Sequence, residues 1–380
     1  MLDYLRLKKS IPAAVLSLAL IPTLIGCGAG NGSRTSLPAS LDNTRALTRE
    51  WIERDPVMFW SWGEFVLLYG FWKLHEITGD PAVPAYVKNF LDENLYFYTP
   101  IASDFFSPAT LALLSCAETG SDDYCGLLGG FDDYFAAVKR EEGAIVHLTG
   151  VPGQDRQVWV DSLFMDGAYL IERGRETGDP DWYAEAASQF VRYDLILSDP
   201  ATGFLNHGFD FATGRMMNDP GVFWARGNAW YLASLGNLLT VLPGDYPGRA
   251  GLEALWRKRA DSILPWQNAD GSWNTLLLEI PGNYAESSAT ALFAFGLAAG
   301  LRTGLIDAGA REAAFRALDY LNGIIYESGG NHFLPGTSGG TSPGTAENYL
   351  SIIRVINQNF GVGAYILAAV ETARLRGEIE

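Results

Sequence analysis

The amino-acid sequence predicts an all-α fold, a closed toroid of helical hairpins of the (α/α)6 type. Three observations carry this expectation. Apolar stretches with helical spacing recur at residues 59–78, 160–177, 227–242, 287–301 and 361–374, while few stretches alternate as strands do. Two segments read as copies of one hairpin, LHEITGDPAVPAYVKNFLDENL from Leu74 and LIERGRETGDPDWYAEAASQFV from Leu170. No linker-like composition interrupts residues 42–380. Repeated hairpins bury their apolar faces on their neighbours, in an open solenoid or a closed ring. About six of them suit an (α/α)6 barrel, with an aromatic-lined funnel where the inter-helix loops converge.

The chain opens with MLDYLRLKKS, which carries Arg6, Lys8 and Lys9, followed by IPAAVLSLALIPTLI. Those 15 apolar residues are too short to span a bilayer and suit the core of an export signal. Leu24-Ile25-Gly26-Cys27 closes the segment and resembles a bacterial lipobox. Residues 1–26 are therefore expected to be removed as a lipoprotein signal peptide and Cys27 to be lipidated. Gly28, in place of Asp, suits sorting to the outer membrane; an ordinary secretory signal with a chance Cys is the alternative. Residues 27–41, rich in Gly and Ser, then read as a flexible tether to a catalytic domain over 42–380. In an oxidising compartment Cys116 and Cys125 are expected to pair and staple the loop CAETGSDDYC.

Within the domain, each TGDP turn has a mechanism. Gly79 and Gly178 stop one helix, and Asp80 and Asp179 cap the next, with Pro81 and Pro180 at its first position. The two turns lie 99 residues apart, Thr78 to Thr177, which leaves room for two hairpins. LRTGLIDAGAREAAFRALDYL from Leu301 has the same shape with weaker signals.

Composition narrows the partners. A formal net charge of −17 argues against nucleic acid, whose phosphates need clustered Lys and Arg. It leaves room for a small anionic substrate. Eleven Trp, 17 Tyr and 20 Phe exceed what a core requires, and such rings often line sugar sites. The four His are scattered, without HxH or HExxH spacing, so no metal is expected, and no cofactor motif stands out. Gly336-Thr337-Ser338-Gly339-Gly340 matches G-x-S-x-G but lies in a Gly/Ser/Thr-rich loop and reads as chance. Gly361-Val362-Gly363 lacks the third Gly and the preceding strand of a dinucleotide site.

Polar residues with chemical potential collect between the helices: Asp104, His147, Asp161, His207, Asp210 and Arg226, with Trp residues among them. Each has a plain structural reading. Asp161 could cap the helix that follows it, Asp104 could serve a turn, and His207 with Asp210 could tie NHGFD together. Arg226 could cover a Trp face. Asp104 and Asp161, with two His and an Arg, together favour a site.

The segments VWVDSLFM, HGFD and FWARGNAW, in that order, resemble the unsaturated rhamnogalacturonyl and glucuronyl hydrolases, glycoside hydrolase families 105 and 88. SDFFSP and GAIVH upstream, and DGSWN, ESSATALFAF and NQNFGVGAYILA downstream, extend the likeness over most of the chain. The resemblance implies an (α/α)6 barrel that removes a 4,5-unsaturated uronic acid from lyase-generated oligosaccharides. Its chemistry hydrates the C4=C5 bond: a proton goes to C4, water adds at C5, and the hemiketal rearranges to release the sugar. By the same resemblance Asp161 is the catalytic acid and base, and Asp104 is its partner. His207 and Arg226 would bind substrate, Arg226 offsetting the uronate carboxylate, with His147 a looser match. Trp224 and Trp230 would stack on the sugar, and Trp60 or Trp62 would close the wall. A helix dipole lowers the pKa of Asp161 while apolar neighbours and Asp104 raise it; the raising influences are expected to win. Two departures stand out. Ala225 and Ala229 replace the family's usual Gly, and Trp62 stands where some members have Tyr. The competing readings are a non-catalytic sugar-binding lipoprotein and another (α/α)6 glycosidase or epimerase. The parent polysaccharide (pectin, ulvan or a glycosaminoglycan) stays open, as does monomer against homodimer.

Overall fold

The two TGDP turns set the pattern of the molecule. Gly79 and Gly178 take the left-handed conformation, φ 64° and 66°, that ends a helix without a Cβ clash. Asp179 then accepts from the amide of Asp181, with Pro180 opening the next helix, and Asp80 accepts from Ala82. In the first copy the helix starts one residue later, at Ala82. The third hairpin uses Asp307, which accepts from Ala310.

The computed structural model describes residues 38–380. The expected signal peptide, Cys27 and the tether up to residue 37 lie outside the described residues. The tether's last residues differ from expectation: Ala39–Leu41 form a 3-10 turn and Leu41 is fully buried. An apolar side chain with a place in the core does not stay in a loose linker.

Among the described residues, twelve helices have ten residues or more. Six form an outer layer: α1 (Asp42–Arg54), α3 (Ala82–Asn94), α5 (Leu128–Ala137), α7 (Pro180–Leu197), α9 (Arg249–Ile263) and α11 (Ala308–Ile324). Six alternate with them as an inner ring: α2 (Trp62–Thr78), α4 (Ala109–Thr119), α6 (Ser162–Thr177), α8 (Ala225–Val241), α10 (Ser287–Arg302) and α12 (Asn359–Arg376). Each inner helix packs on the next, and α12 returns to α2, closing an (α/α)6 barrel. Burial follows the layers. In α11 the buried residues are Ala310, Ala313, Ala314, Ala317, Leu318 and Leu321, one stripe at helical spacing. In α10, Ser287 through Leu301 are buried without a break, as a helix enclosed on all sides requires. Close approach in the ring depends on residues without a side chain. A Cβ on Gly70 of α2 would lie 2.6 Å from the Gly363 carbonyl oxygen of α12. The Gly361-Val362-Gly363 run is therefore a packing device.

Short strands join the loops at the N-terminal ends of the inner helices. Gln157–Trp159 pairs antiparallel with Gly208–Asp210, Trp159 opposite Gly208, and Gly208–Asp210 pairs with Arg215–Met216. Thr337–Ser338 pairs with Arg354–Val355, so the G-x-S-x-G match sits in a loop ribbon and not on a strand-to-helix elbow. Cys116 and Cys125 form a disulfide at the end of α4.

Candidate active site

The register Trp159 to Gly208 brings the residue before α6 beside the NHGFD loop, and the Val160 amide donates to the His207 carbonyl at 2.9 Å. Asp161 precedes α6 with helical φ −57° and ψ −36°, and its side chain caps nothing. The carboxylate turns instead toward His207, with 3.2 Å between Oδ2 and Nε2. The capping reading fails because a residue already wound into the helix cannot fold its side chain back onto the first amides. His207 is held on its other sides: its ring stacks on Trp224 at 4.2 Å, and Nδ1 lies 2.9 Å from the Tyr349 hydroxyl.

Asp104 reaches the same place from the single turn Ser103–Phe106, anchored by the Ser103 amide donating to the His147 carbonyl. Its Oδ1 lies 3.7 Å from His147 Nε2, and 30% of its side chain is exposed, against 14% for Asp161. The two carboxyls have opposite electrostatics. Burial, then the charges of Asp161 and Asp166, push Asp104 up to about 8. At Asp161 burial also pushes upward, but His207, His147 and Arg226 outweigh it and hold the carboxyl below its ordinary value. The expectation of a raised Asp161 is thus overturned, and the raised carboxyl is Asp104. Burial brings His147 down to about 4, so it is neutral near pH 7 and acts through its ring nitrogens. His207 and Arg226 then remain to favour the Asp161 carboxylate.

Arg226 is fully buried at the start of α8. Nη1 donates to Ser288 Oγ and to the carbonyl and hydroxyl of Ser338; Nη2 donates to the Gly339 carbonyl and Thr341 Oγ1. Glu286 Oε1 lies 3.7 Å away, and the guanidinium covers Trp224 at 4.6 Å and Phe360 at 4.9 Å. Both terminal nitrogens are committed inside the protein. Direct pairing with a substrate carboxylate is corrected to a clasp on the 337–341 loop that also biases Asp161. His147 and His207 are each 1% exposed, so they hold the two carboxyls and do not face substrate directly.

Three of the four expected Trp platforms are corrected by burial. Trp224 lies between His207 and Arg226 with both faces covered. Trp230 has no exposed surface and packs on Phe164 at 4.7 Å. Trp60 is 3% exposed, stacks on Phe90, and donates its Nε1–H to the Phe105 carbonyl at 2.7 Å. Only Trp62 keeps a partly open ring, edge-on to Trp230 and tilted on Phe360.

The open platform missing from the sequence reading is Trp159, partly exposed and stacked at 4.6 Å on His147, two residues before Asp161. Its place two residues before Asp161 was the available signal. Tyr349 and Glu286 were missed as well. Glu286 has no exposed surface, caps α10 through the amides of Ser288 and Ala289, and accepts from the Ser338 amide. Glu before Ser-Ser resembles any helix start, and nothing local marks Tyr349. Among the described residues no group of three or more His, Cys, Asp or Glu is arranged to hold a metal, and no helix is long and apolar enough to cross a membrane.

The sequence model of Glycosyl Hydrolase Family 88 matches residues 42–376. The chain belongs to this family. An unsaturated 3S-rhamnoglycuronyl hydrolase of Formosa agariphila is 30% identical over 226 residues, 57% of this chain and 58% of the relative. The unsaturated rhamnogalacturonyl hydrolase of Bacillus subtilis is 25% identical over 243 residues, 63% of this chain and 70% of the relative. The chain therefore spans less than two thirds of the first relative's length. Among solved structures, a family 105 glycoside hydrolase of C. acetobutylicum superposes with a TM-score of 0.79 at 22% identity, covering 87% of this chain and 99% of that one. That likeness concerns the barrel, and it agrees with the closed ring described for this family 88 member.

Proposed function

We propose that this chain removes a 4,5-unsaturated uronic acid from the non-reducing end of oligosaccharides by hydrating the C4=C5 bond. The observation that carries the proposal is the pair of unlike carboxyls: Asp104 raised to about 8 and Asp161 held low by His207 and Arg226. Near neutral pH the first is a carboxylic acid and the second a carboxylate, which is the division of labour that hydration needs. Asp104 gives its proton to C4 as the double bond breaks. Asp161 takes a proton from the water that adds at C5. The hemiketal so formed opens and releases the remaining sugar, so one proton enters and one leaves the pair. Trp159 and Trp62 offer the open rings for the sugar face. The names of both hydrolase relatives, which act on unsaturated substrates, support the reading.

Loss of the C=C ultraviolet absorbance on unsaturated uronyl disaccharides tests it. Folded protein without turnover on any of pectin-, ulvan- or glycosaminoglycan-derived disaccharides refutes it. We also propose export and lipid anchoring through Cys27, on the basic and apolar pattern of residues 1–26 and the Leu-Ile-Gly-Cys sequence. Cys27→Ala is expected to move the protein from the membrane fraction to the soluble one.

A further inference from the structure

Asp166 is a buried carboxylate that the two-carboxyl chemistry leaves unused. It sits on α6 one turn beyond Ser162 and is 1% exposed, and among the described residues no Lys, Arg or His lies within ion-pair distance. Its Oδ2 accepts from Ser103 Oγ at 2.6 Å, and its Oδ1 accepts from the Tyr134 hydroxyl at 3.4 Å. Ser103 Oγ is 2.9 Å from Ser162 Oγ, which is 2.9 Å from His147 Nδ1. His147 Nε2 then faces Asp104 Oδ1 at 3.7 Å. Ser103 is the neighbour of Asp104 and Ser162 the neighbour of Asp161, so the chain of hydroxyls runs directly beneath the pair. The other groups bearing on Asp166 are Asp104 itself, Tyr98 from the loop after α3, Tyr193 from α7, and Arg140, which attracts it from a distance. Burial lifts Asp166 to about 7, against the pull of Ser103, Tyr134 and Arg140.

We propose that Asp166 is a positioning residue that, through Ser103, Ser162 and His147, sets which ring nitrogen of His147 carries the proton facing Asp104 and returns a proton to Asp104 after turnover. The two states follow from donor counting. With Asp166 ionised, Ser103 donates to it, Ser162 donates to Ser103, and His147 Nδ1–H donates to Ser162. Nε2 is then a bare acceptor for the Asp104 proton. With Asp166 protonated, each link reverses and Nε2–H points at an Asp104 carboxylate. Passing between the states moves one proton across each link, so Asp104 gains what Asp166 loses and no net charge is created. Where both carboxyls start protonated, Asp104 gives its proton to C4, the shift from the second state to the first restores it from Asp166, and Asp166 is left ionised to take its next proton from solvent. The 3.7 Å link is long, as such contacts often are before substrate closes the site.

This rests on Asp104 being the acid, so the test separates the two. In substrate-free protein, 15N-histidine NMR reads the His147 tautomer without turnover, His147→Gln providing the assignment. The expected result is Nε2–H at low pH and Nδ1–H as pH rises through about 7, with no change of tautomer in Asp166→Asn. One tautomer throughout in the native chain, or an unaltered switch in Asp166→Asn, overturns the proposal. In kinetics, Asp166→Asn and Ser162→Ala each lower kcat about tenfold with KM within about twofold, and the double variant is no worse than either. Additive losses overturn the relay. A native kcat in Asp166→Asn and Ser162→Ala also overturns it while Asp104→Asn is inactive; full activity in Asp104→Asn instead removes the acid assignment on which it rests.

Discussion

The two ends of the barrel both bury charge, to opposite purposes. At the C-terminal ends of the inner helices, Glu172 is held by Lys73 at 2.9 Å, Arg175 at 2.7 Å and the Tyr69 hydroxyl at 2.5 Å. Glu371 pairs with Arg302 and Arg374 beside it. Burial pushes Glu172 upward, but its two cations outweigh that and keep it ionised. At the N-terminal ends, among the described residues, Asp104 has no cation partner and a neutral His147 near it, and Asp161 has His207 and, further off, Arg226. Matched charges lock the helices together, whereas an unmatched carboxyl is left able to exchange a proton. The proposed acid is the carboxyl whose cation partner is missing, and the proposed base is the one held ionised near it.

The sharpest way to break this contrast is to neutralise one residue at each end. Asp161→Asn and Asp104→Asn are each expected to lower kcat about 10³-fold with little change in KM, measured by loss of C=C absorbance. Glu172→Gln at the other end should leave kcat within about twofold. Next in size is pH. With Asp104 as the proposed acid, kcat/KM should fall about tenfold per unit above about pH 8 and show no acid-side loss from Asp161 within the ordinary carboxylate range. Trp159→Ala should raise KM about tenfold and leave kcat nearly intact, while Trp62→Ala has the smaller effect of the same kind.

Stability should divide between the ends as well. Asp104 loses its proton near 4 when unfolded and near 8 when folded, so the fold binds more protons between those values and its stability falls as pH rises through that window. Asp104→Asn should therefore raise Tm at pH 8.5, by about 2–4 °C per kcal/mol relieved, and change little at pH 4. Glu172→Gln should do the reverse, lowering Tm at neutral pH because the buried Lys73 and the more exposed Arg175 lose their partner. Equal thermal shifts at both ends would dissolve the distinction.

Much of this was legible along the chain. Gly79 and Gly178 could only end helices, and Asp179 before Pro180 could only start one, because caps depend on residues within one turn. Asp104, His147, Asp161 and His207 were read as one constellation, and the structure does place them together. What failed were statements about surroundings. Trp224 looked like a platform, yet His207 and Arg226, brought in from the preceding loop and the next helix turn, cover both its faces.

By itself the sequence determined the helices, their boundaries and the set of polar groups carried between them, because these are local consequences of caps, periodicity and residue chemistry. Only the tertiary structure decided which rings stay open, which Arg is already occupied, and which carboxyl holds a proton. Those properties depend on what the closed ring packs within a few ångströms of each group. A side chain's pKa and exposure belong to its neighbours, and here they come from helices far apart in the chain.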